Sequence, residues 1–334
     1  MSRAASSGVI VKSGGVLEIL ARARTVALDK TGTLTHGRPE VDLIEPAPGV
    51  EAEALLAAAA AAEAYSTHVL ARTIVREAEQ RGLAIAAAVG VEETTAAGLT
   101  ATVAGVTTAV GNAGHVERVT GHRTDPAAVP PGHIAVHVGT TEAYLGRILL
   151  TDQPRGNAPA TLAALRSLGV RTTVMLTGDA APTAEQIAAQ VGIGDVRAGL
   201  RQADKVAAVR ALPDRPVVMV GDGVNDAPVL AVADVGIAMG AKGATAASES
   251  ADVVIMLDDL GRVATSIAIA QRTVRIALQA IWLGIAISFA LMAVAVWGVL
   301  PAVAGTALQE VVDLAAILTA LRAVRPGRTD VRPA

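Results

Sequence analysis

Short β-rich runs alternate with helical patterns over much of this chain. Three such runs are TVALD at Thr25–Asp29, TTVMLTGD at Thr172–Asp179 and PVVMVGDG at Pro216–Gly223. A helical pattern, TLAALRSLG, precedes the second run, and another, AEQIAAQVG, lies between the second and the third. Each of these two segments ends in glycine, as a helix C-cap does. This alternation predicts βαβ units and therefore a parallel sheet.

A different pattern interrupts this series between about Glu40 and Arg147. The interruption contains alanine-rich helical segments and a polar β-like passage around Ala101–Val110. It predicts an inserted α+β domain over residues 40–146. The parallel-sheet domain would then consist of residues 1–39, which include a connecting stalk, and residues 147–262.

Near the C-terminus the chain becomes almost entirely apolar. Residues 276–300 carry no charge over a length sufficient to cross a bilayer, which takes roughly 20 apolar residues. After an expected turn at Pro301–Gly305, residues 303–321 read as a return helix. Arginines precede and follow these segments and are absent from the turn. We therefore expect a membrane hairpin over residues 263–325, a multi-pass location in the cell membrane, and both chain ends and the tail 326–334 in the cytoplasm.

Composition supports this organisation and excludes some functions. The chain is 52% hydrophobic with only two Trp, two Tyr and one Phe, so its core must be built from Ala, Val, Leu and Ile. Strands rich in these aliphatic residues suit a parallel sheet that is covered by helices on both faces. The absence of Cys excludes disulfides and thiolate sites. A net charge of −3 argues against nucleic acid as a partner.

The segment DKTGTLT directly follows the first β-rich run and begins with Asp29. A carboxylate at the carboxyl end of a parallel strand projects into the crevice where such sheets bind ligands. There an aspartate can act as a nucleophile towards phosphate. Gly32 allows the chain to turn, and the amides and hydroxyls of Lys30, Thr31 and Thr33 can approach an anion.

Two later segments place further polar groups at strand ends. In LTGD, the Thr177 hydroxyl can hold a phosphoryl oxygen. In GDGVNDAP, Asp222 and Asp226 lie four residues apart, and such carboxylates suit Mg²⁺ bound together with a substrate phosphate. Lys205, between these segments, can supply a positive charge, although a lone lysine is more often a solvated surface residue.

These three motifs, in this order and spacing, resemble the hallmarks of P-type ATPases within the haloacid dehalogenase-like superfamily. The resemblance implies a Rossmannoid parallel sheet, an inserted nucleotide-binding domain, and the use of ATP and Mg²⁺. It implies that Asp29 becomes the aspartyl-phosphate and that Mg²⁺ is held by Asp222 and Asp226 together with the Asp29–Thr31 side. The residues implied to contact the phosphoryl group or order its surroundings are Lys30, Thr31, Thr177, Gly178, Asp179, Lys205 and Asn225.

Within the insertion, the sequence is similar to the heavy-metal branch of that family. STHVLARTIV contains His68 where the branch has a His-Pro pair, here followed by Val69. A later pattern aligns Glu92 and Gly98, with Ala96 in place of the first glycine. The resemblance implies that His68, Glu92 and Gly98 line the nucleotide site.

The expected return helix carries three polar side chains that bear on transport. Gln309, Glu310 and Asp313 are spaced three and four apart, so Glu310 and Asp313 share one helix face, as do Gln309 and Asp313. Ionisable groups at membrane depth usually face a polar pathway, so these residues are candidates for a transported-cation site. The alternative is that they are solvated near the far interface.

Other hallmarks of a complete pump of this family, the TGE loop of the actuator domain and a Cys-Pro membrane helix, are not found in this sequence. We therefore expect the catalytic C-terminal portion of a heavy-metal-transporting P-type ATPase, which comes from a truncated gene, a split gene or a fragment. It would work only if the remaining parts are supplied, for example by a separate polypeptide that carries the actuator domain and the other membrane helices. Two alternatives remain open: a membrane-tethered phosphatase, and a nucleotide-binding remnant without activity. Thr31 argues against the phosphatase, because phosphatases of the superfamily generally have an aspartate two residues after the nucleophile.

Overall fold

A computed structural model describes residues 4, 7–95, 97–222, 226–240, 249–296 and 302–324. The chain divides into two compact units. The first comprises Met1–Leu34, Gly156–Gly178 and Val191–Ala334, and the second comprises Thr35–Arg155 and Asp179–Gln190. Each unit contains one β-sheet, and the units are described separately below.

The described strands are numbered in chain order. They are β1 (Val9–Val11), β2 (Thr25–Asp29), β3 (Glu40–Pro46), β4 (Ala88–Thr94), β5 (Gly98–Val103), β6 (Val106–Gly111), β7 (His133–Thr140), β8 (Tyr144–Thr151), β9 (Thr172–Leu176), β10 (Asp195–Arg197), β11 (Val217–Gly221), β12 (Val235–Met239) and β13 (Val253–Ile255).

The described α-helices are numbered in the same way. They are α1 (Gly14–Leu20), α2 (Ala52–Glu63), α3 (Val69–Gln80), α4 (Ala113–Thr120), α5 (Ala158–Ser167), α6 (Ala181–Val191), α7 (Gln202–Arg210), α8 (Ala227–Val232), α9 (Gly261–Val296) and α10 (Ala302–Ala320).

The first unit is built on a seven-stranded sheet with the strand order β1-β13-β12-β11-β2-β9-β10. All neighbouring pairs are parallel except β1 with β13. Strands β2, β11 and β12 are buried at every position, as their continuous runs of Val, Ala, Leu and Met require in a sheet covered on both faces. The predicted parallel sheet is confirmed, and β2 lies near its centre.

The second unit contains a six-stranded antiparallel sheet with the order β3-β8-β7-β6-β5-β4. The alanine-rich helix α2 packs on it and buries Leu55, Leu56 and four of its alanines. Strand β8 continues to Thr151 because it pairs with β3 along nearly its whole length, so the sheet extends beyond residue 146.

Helix α9 has two different halves. Its first turns pack against helices α1 and α5 of the same unit and bury Val263, Ile267 and Ala270. Its later turns expose large apolar side chains, including Trp282 and Phe289. Among the described residues it is the one helix that is long and apolar enough to cross a membrane.

The return helix packs against α9 but differs from the prediction at its start. Helix α10 begins at Ala302, so residues 302–305, predicted as part of a turn, are helical. A run of alanine and valine tolerates the single glycine at Gly305, because one glycine costs a helix only about 1 kcal/mol. Residues 297–301 lie outside the described part of the chain.

Candidate active site

The carboxyl end of β2 positions Asp29 at the edge of the parallel sheet. Asp29 is paired in register with Leu176 of β9 and is 6% exposed. After Asp29 the chain makes one tight turn over Lys30–Leu34, in which Gly32 has a φ of +73°. That left-handed conformation favours glycine, which explains its place in DKTGT.

Lys205 reaches this carboxylate from helix α7. Its Nζ donates hydrogen bonds to Asp29 Oδ1 at 2.5 Å and to Asp226 Oδ1 at 3.1 Å, and the residue is 7% exposed. Burial by itself would lower the pKa of Lys205, but the two carboxylates outweigh burial and raise it. The lysine is therefore charged and holds two acidic residues that are far apart in the chain.

The two aspartates of GDGVNDAP approach the β2 turn because glycines leave room for them. A Cβ on Gly32 would lie 3.0 Å from Asp222 Oδ2, and a Cβ on Gly221 would lie 2.8 Å from Asp226 Oδ2. Side chains of any size at these two positions would displace the carboxylates. Asp226 is 2% exposed, and Asp222 is half-buried.

The carboxylates of this cluster influence one another. Burial, reinforced by the neighbouring carboxylate of Asp226, raises the pKa of Asp29 to about 6, although Lys205 acts in the opposite direction. Lys205 bonds Asp29 and Asp226, and Asp222 lies beside Gly32 on the turn that follows Asp29. The three aspartates offer oxygen ligands, which Mg²⁺ prefers, and a divalent cation would reduce the repulsion between their carboxylates.

Mg²⁺ usually takes few protein ligands and keeps several waters. The described residues contain no group of three or more His, Cys, Asp and Glu side chains arranged to enclose a metal ion. An ion at this site would therefore complete its coordination with water, backbone carbonyls and substrate phosphate. The donor set fits that arrangement.

The remaining residues of the motifs are distributed as follows. Thr177 comes directly after β9 and is buried; its N–H donates to the Arg197 carbonyl, and its carbonyl accepts from Leu200. Gly178 follows and lies close to the Leu200 carbonyl. On the β2 turn Lys30 is buried and Thr31 is exposed. Asp179 belongs to the second unit, and Asn225 lies outside the described residues.

A separate cavity of about 290 Å³ lies within the second unit. Its polar lining includes His68 and, among residues that the sequence pattern did not single out, Glu63, Glu93 and Asn112. His68 is the N-cap of α3, where its Nδ1 accepts a hydrogen bond from the Leu70 N–H at 3.2 Å. Glu92, which was predicted to line the nucleotide site, is not in this lining; its neighbour Glu93 is.

Gly98 also lines this cavity, and its backbone conformation requires glycine. Gly98 and Gly111 are paired across β5 and β6, with φ values of +151° and +154°. A Cβ on Gly98 would lie 2.2 Å from the Val110 carbonyl oxygen. Only glycine permits this approach, which brings the two strands together beside the cavity.

Glu63 is the most perturbed acid of the second unit. Burial, with Glu93 nearby, raises the pKa of Glu63 to about 7, and the residue is 9% exposed. A signal for it was present in the sequence: in EALLAAAAAAEA it is the acid that directly follows the apolar run, five residues before His68.

The three candidate transport residues lie on α10 and are exposed. The Gln309 side-chain amide donates to Asp313 Oδ1 at 3.4 Å, four residues further along the same helix. Their assignment to a cation site stays a prediction.

A buried aspartate at the end of a central parallel strand, with a lysine from helix α7 and two more aspartates that follow the neighbouring strand β11, defines an α/β protein with a phosphate-chemistry site. The chain belongs to the haloacid dehalogenase-like hydrolases, whose family model matches residues 23–234.

Relatives narrow the resemblance to P-type ATPases of heavy metals. The chain is 38% identical over 327 residues to the cadmium, zinc and cobalt-transporting ATPase of Bacillus subtilis (strain 168), covering 96% of this chain and 46% of that protein. It is 39% identical over 324 residues to the copper-transporting ATPase 1 of Rhizobium meliloti (strain 1021), covering 94% and 39%. The chain thus spans less than half the length of these two relatives.

Solved structures agree with this. A zinc-transporting PIB-type ATPase in the E2.Pi state superposes with a TM-score of 0.86 at 34% identity, covering 97% of this chain and 53% of that one. The resemblance to heavy-metal P-type ATPases and the predicted fold class are confirmed.

Proposed function

We propose that this chain is the ATP-hydrolysing catalytic portion of a heavy-metal-translocating P-type ATPase and that Asp29 is its phosphoryl acceptor. The observation that carries the proposal is the pairing of Lys205 with both Asp29 and Asp226 at the end of the central strands. The printed names of the relatives support the choice of metal cations as the transported substrate.

In the proposed reaction, a carboxylate oxygen of Asp29 attacks the γ-phosphorus of ATP. The bond from the γ-phosphorus to the bridging oxygen breaks, ADP leaves with that electron pair, and an acyl phosphate forms. Water then attacks this acyl phosphate, which releases inorganic phosphate and regenerates the carboxylate. With a pKa of about 6, most Asp29 is ionised and nucleophilic at neutral pH.

Lys205 contributes position and charge. Its hydrogen bond fixes the rotamer of the nucleophile, and its ammonium group lies where negative charge gathers during phosphoryl transfer. Mg²⁺, when bound through Asp222, Asp226 and the Asp29–Thr31 turn, supplies neutralisation of the transferring phosphoryl group. Thr177 and Asn225 are assigned to phosphoryl contacts in the same proposal.

The nucleotide base is assigned to the cavity of the second unit. A mostly apolar cavity with a few polar groups is typical of ligand sites, and this one offers a histidine, two glutamates and an asparagine. Glu63, with a pKa of about 7, can be protonated or ionised near neutral pH and so can donate or accept a hydrogen bond with a base edge.

Transport is assigned to a larger assembly than this chain. A membrane cavity that opens to alternate sides requires more than two helices, and the relatives have additional segments that this chain does not span. We infer that α9 and α10 form a membrane hairpin with both ends in the cytoplasm, with Gln309, Glu310 and Asp313 contributing to the cation path. An actuator domain and further membrane helices would complete it, and we expect residues 1–334 by themselves to transport no metal in sealed vesicles.

The proposal is tested by incubating the purified full chain with γ-labelled ATP and Mg²⁺. We expect an acid-stable, hydroxylamine-sensitive adduct that is lost in Asp29→Asn, in Asp222→Ala, in Asp226→Ala and after removal of Mg²⁺. Asp195→Asn, at the edge strand β10, is the control and should label normally. Equal labelling of wild type and Asp29→Asn would refute the assignment.

A further inference from the structure

A second cavity, of about 510 Å³, lies at the base of the hairpin in the first unit. It is bounded by the end of α5, the middle of α9 and the segment that follows α10. Its size falls within the range of about 300–1,000 Å³ typical of small-molecule sites. We propose that this cavity binds the phosphate group of an anionic membrane-lipid headgroup through Arg272, Arg275 and Arg322.

The charge of the lining is the first argument. The three arginines are accompanied by Gln271 and Gln279, and no Asp or Glu lines the cavity. Among the described residues, no carboxylate forms an ion pair with any of the three arginines. The cavity therefore carries three positive charges that the described protein groups leave uncompensated.

One guanidinium nitrogen carries the second argument. Arg272 Nη1 is buried and has no hydrogen-bond partner. A buried charged donor without a partner is costly, and in native proteins such groups are nearly always paired. The nearby Gln271 is not that partner; its side-chain amide donates to the Leu168 carbonyl at 2.7 Å. An anion in the cavity would satisfy this donor.

The position along the hairpin identifies the source of the anion. Arg272 and Arg275 directly precede the charge-free run that starts at Ile276, and Arg322 follows the end of α10. If the charge-free run occupies the hydrocarbon core, these arginines lie at the level of the lipid headgroups. Basic cavities between membrane helices at that level are suited to anionic headgroups.

The ligand chemistry follows from the guanidinium group. Its planar fork matches two oxygens of a phosphate, whereas an ammonium group acts as a point charge. Gln279, one turn into the charge-free run, can donate to a further ester oxygen. Because Ser167 and Leu168 at the end of α5 also line the cavity, a bound headgroup would contact both the hairpin and the sheet-covering helix.

The test uses the full chain purified in a non-ionic detergent and calorimetric titration with three probes. These are short-chain phosphatidylglycerol, phosphatidylcholine of the same chain length, and inorganic phosphate. We expect phosphatidylglycerol to bind at least ten-fold tighter than phosphatidylcholine. Arg272→Gln combined with Arg275→Gln and Arg322→Gln should weaken phosphatidylglycerol at least ten-fold, and Arg272→Lys should have an intermediate effect because it keeps the charge but loses the fork.

Arg22→Gln is the matched control. Arg22 is exposed beside the neighbouring groove between α1 and α9, and it does not line this cavity. Its replacement removes one positive charge outside the cavity and should leave binding within two-fold of wild type. Thermal unfolding without lipid checks that each variant is folded, and none of these readouts depends on the proposed catalysis.

Two results would overturn the proposal: phosphatidylglycerol binding that survives the triple replacement, or binding that falls equally in Arg22→Gln. If inorganic phosphate binds as tightly as phosphatidylglycerol and is lost in the triple variant, the arginines bind phosphate from solution and the lipid source is wrong.

Discussion

Lys205 Nζ donates to Asp29 Oδ1 at 2.5 Å across 176 positions of the chain, and both side chains are almost completely buried. The same nitrogen contacts Asp226 Oδ1 at 3.1 Å. A buried ion pair of this kind gains little stability, because desolvation offsets most of the attraction. Its value is positional, since it holds the carboxylate that we propose as nucleophile beside a second acidic group.

Removing the lysine should therefore affect catalysis strongly. We expect Lys205→Gln to lower the rate of phosphorylation from ATP roughly 10²-fold or more, the usual effect of deleting one stabilising donor at a charged transition state. The comparison is made by rapid quench. Lys12→Gln is the control, because the exposed Lys12 side chain donates only to the Glu249 backbone carbonyl among the bonds described. A loss below three-fold in Lys205→Gln would remove Lys205 from the proposed site.

Gly221 should be sensitive to a single methyl group. Its Cβ would lie 2.8 Å from Asp226 Oδ2, so Gly221→Ala must displace that carboxylate by some tenths of an ångström. We expect at least about a ten-fold loss of Mg²⁺-dependent phosphorylation, because small misplacements at reacting groups are costly. Gly156→Ala is the matched control, with no atom within 4 Å of the new Cβ, and should match wild type. Equal activities in both variants would contradict the steric argument.

Glu63 predicts a pH dependence of stability. Its pKa is raised to about 7 in the folded chain from an ordinary value of 4.5, so the folded state binds the proton more tightly than the unfolded state. Stability should therefore fall as pH rises from about 4.5 to about 7 and then level off. Glu63→Gln removes this term and should stabilise the chain at pH 8, by an amount on the order of 1–3 kcal/mol, with little effect at pH 4.5.

The measurement is the thermal midpoint of wild type and Glu63→Gln at pH 4.5, 6, 7 and 8 in the same detergent. Glu53→Gln, in the first turn of the same helix, serves as control because Glu53 is exposed. The difference between wild type and Glu63→Gln should widen with pH. A difference that is constant across this range would show that Glu63 titrates normally.

Gly98 should tolerate no side chain. Alanine there would bring its Cβ to 2.2 Å from the Val110 carbonyl and force strained backbone, so Gly98→Ala should lower the thermal midpoint by several degrees and weaken nucleotide binding. Gly114→Ala, in helix α4, should be neutral or slightly stabilising, because alanine is favoured in helices by up to about 1 kcal/mol. Nucleotide affinity is measured by equilibrium dialysis. Normal affinity in Gly98→Ala would separate this glycine from the nucleotide site.

The local sequence pattern is sufficient to predict the parallel strands, but it does not predict which distant strands pair with each other. The run TVALD coincides with β2, because a strand buried on both faces must be continuously apolar. By contrast, β1 has only three residues and pairs antiparallel with β13, more than 240 positions away, and nothing in its own sequence encodes that partner. The extent of β8 depends on β3 in the same way.

The candidate site divides along similar lines. Asp29, Asp222 and Asp226 could be predicted because each follows a strand whose carboxyl end is visible in the sequence, whereas Lys205, on helix α7, was singled out by the family resemblance. Glu92 was chosen because it matches the spacing of a family pattern, and that spacing does not show which of two adjacent glutamates faces the cavity. Strand β4 has an irregularity between Val89 and Glu92, and Glu93 is the one that lines the cavity. Glu63 was missed because its raised pKa depends on burial within the folded unit and on Glu93 from another element of the fold.

The central claim, that Asp29 accepts the phosphoryl group, is tested most directly by locating the modified residue. Borohydride reduces an acyl phosphate of aspartate to homoserine, which mass spectrometry identifies within a peptide. After incubation of the full chain with ATP and Mg²⁺, reduction and proteolysis, the account predicts homoserine at position 29 and unmodified Asp222 and Asp226. Homoserine at position 222 or 226, with Asp29 intact, would contradict it.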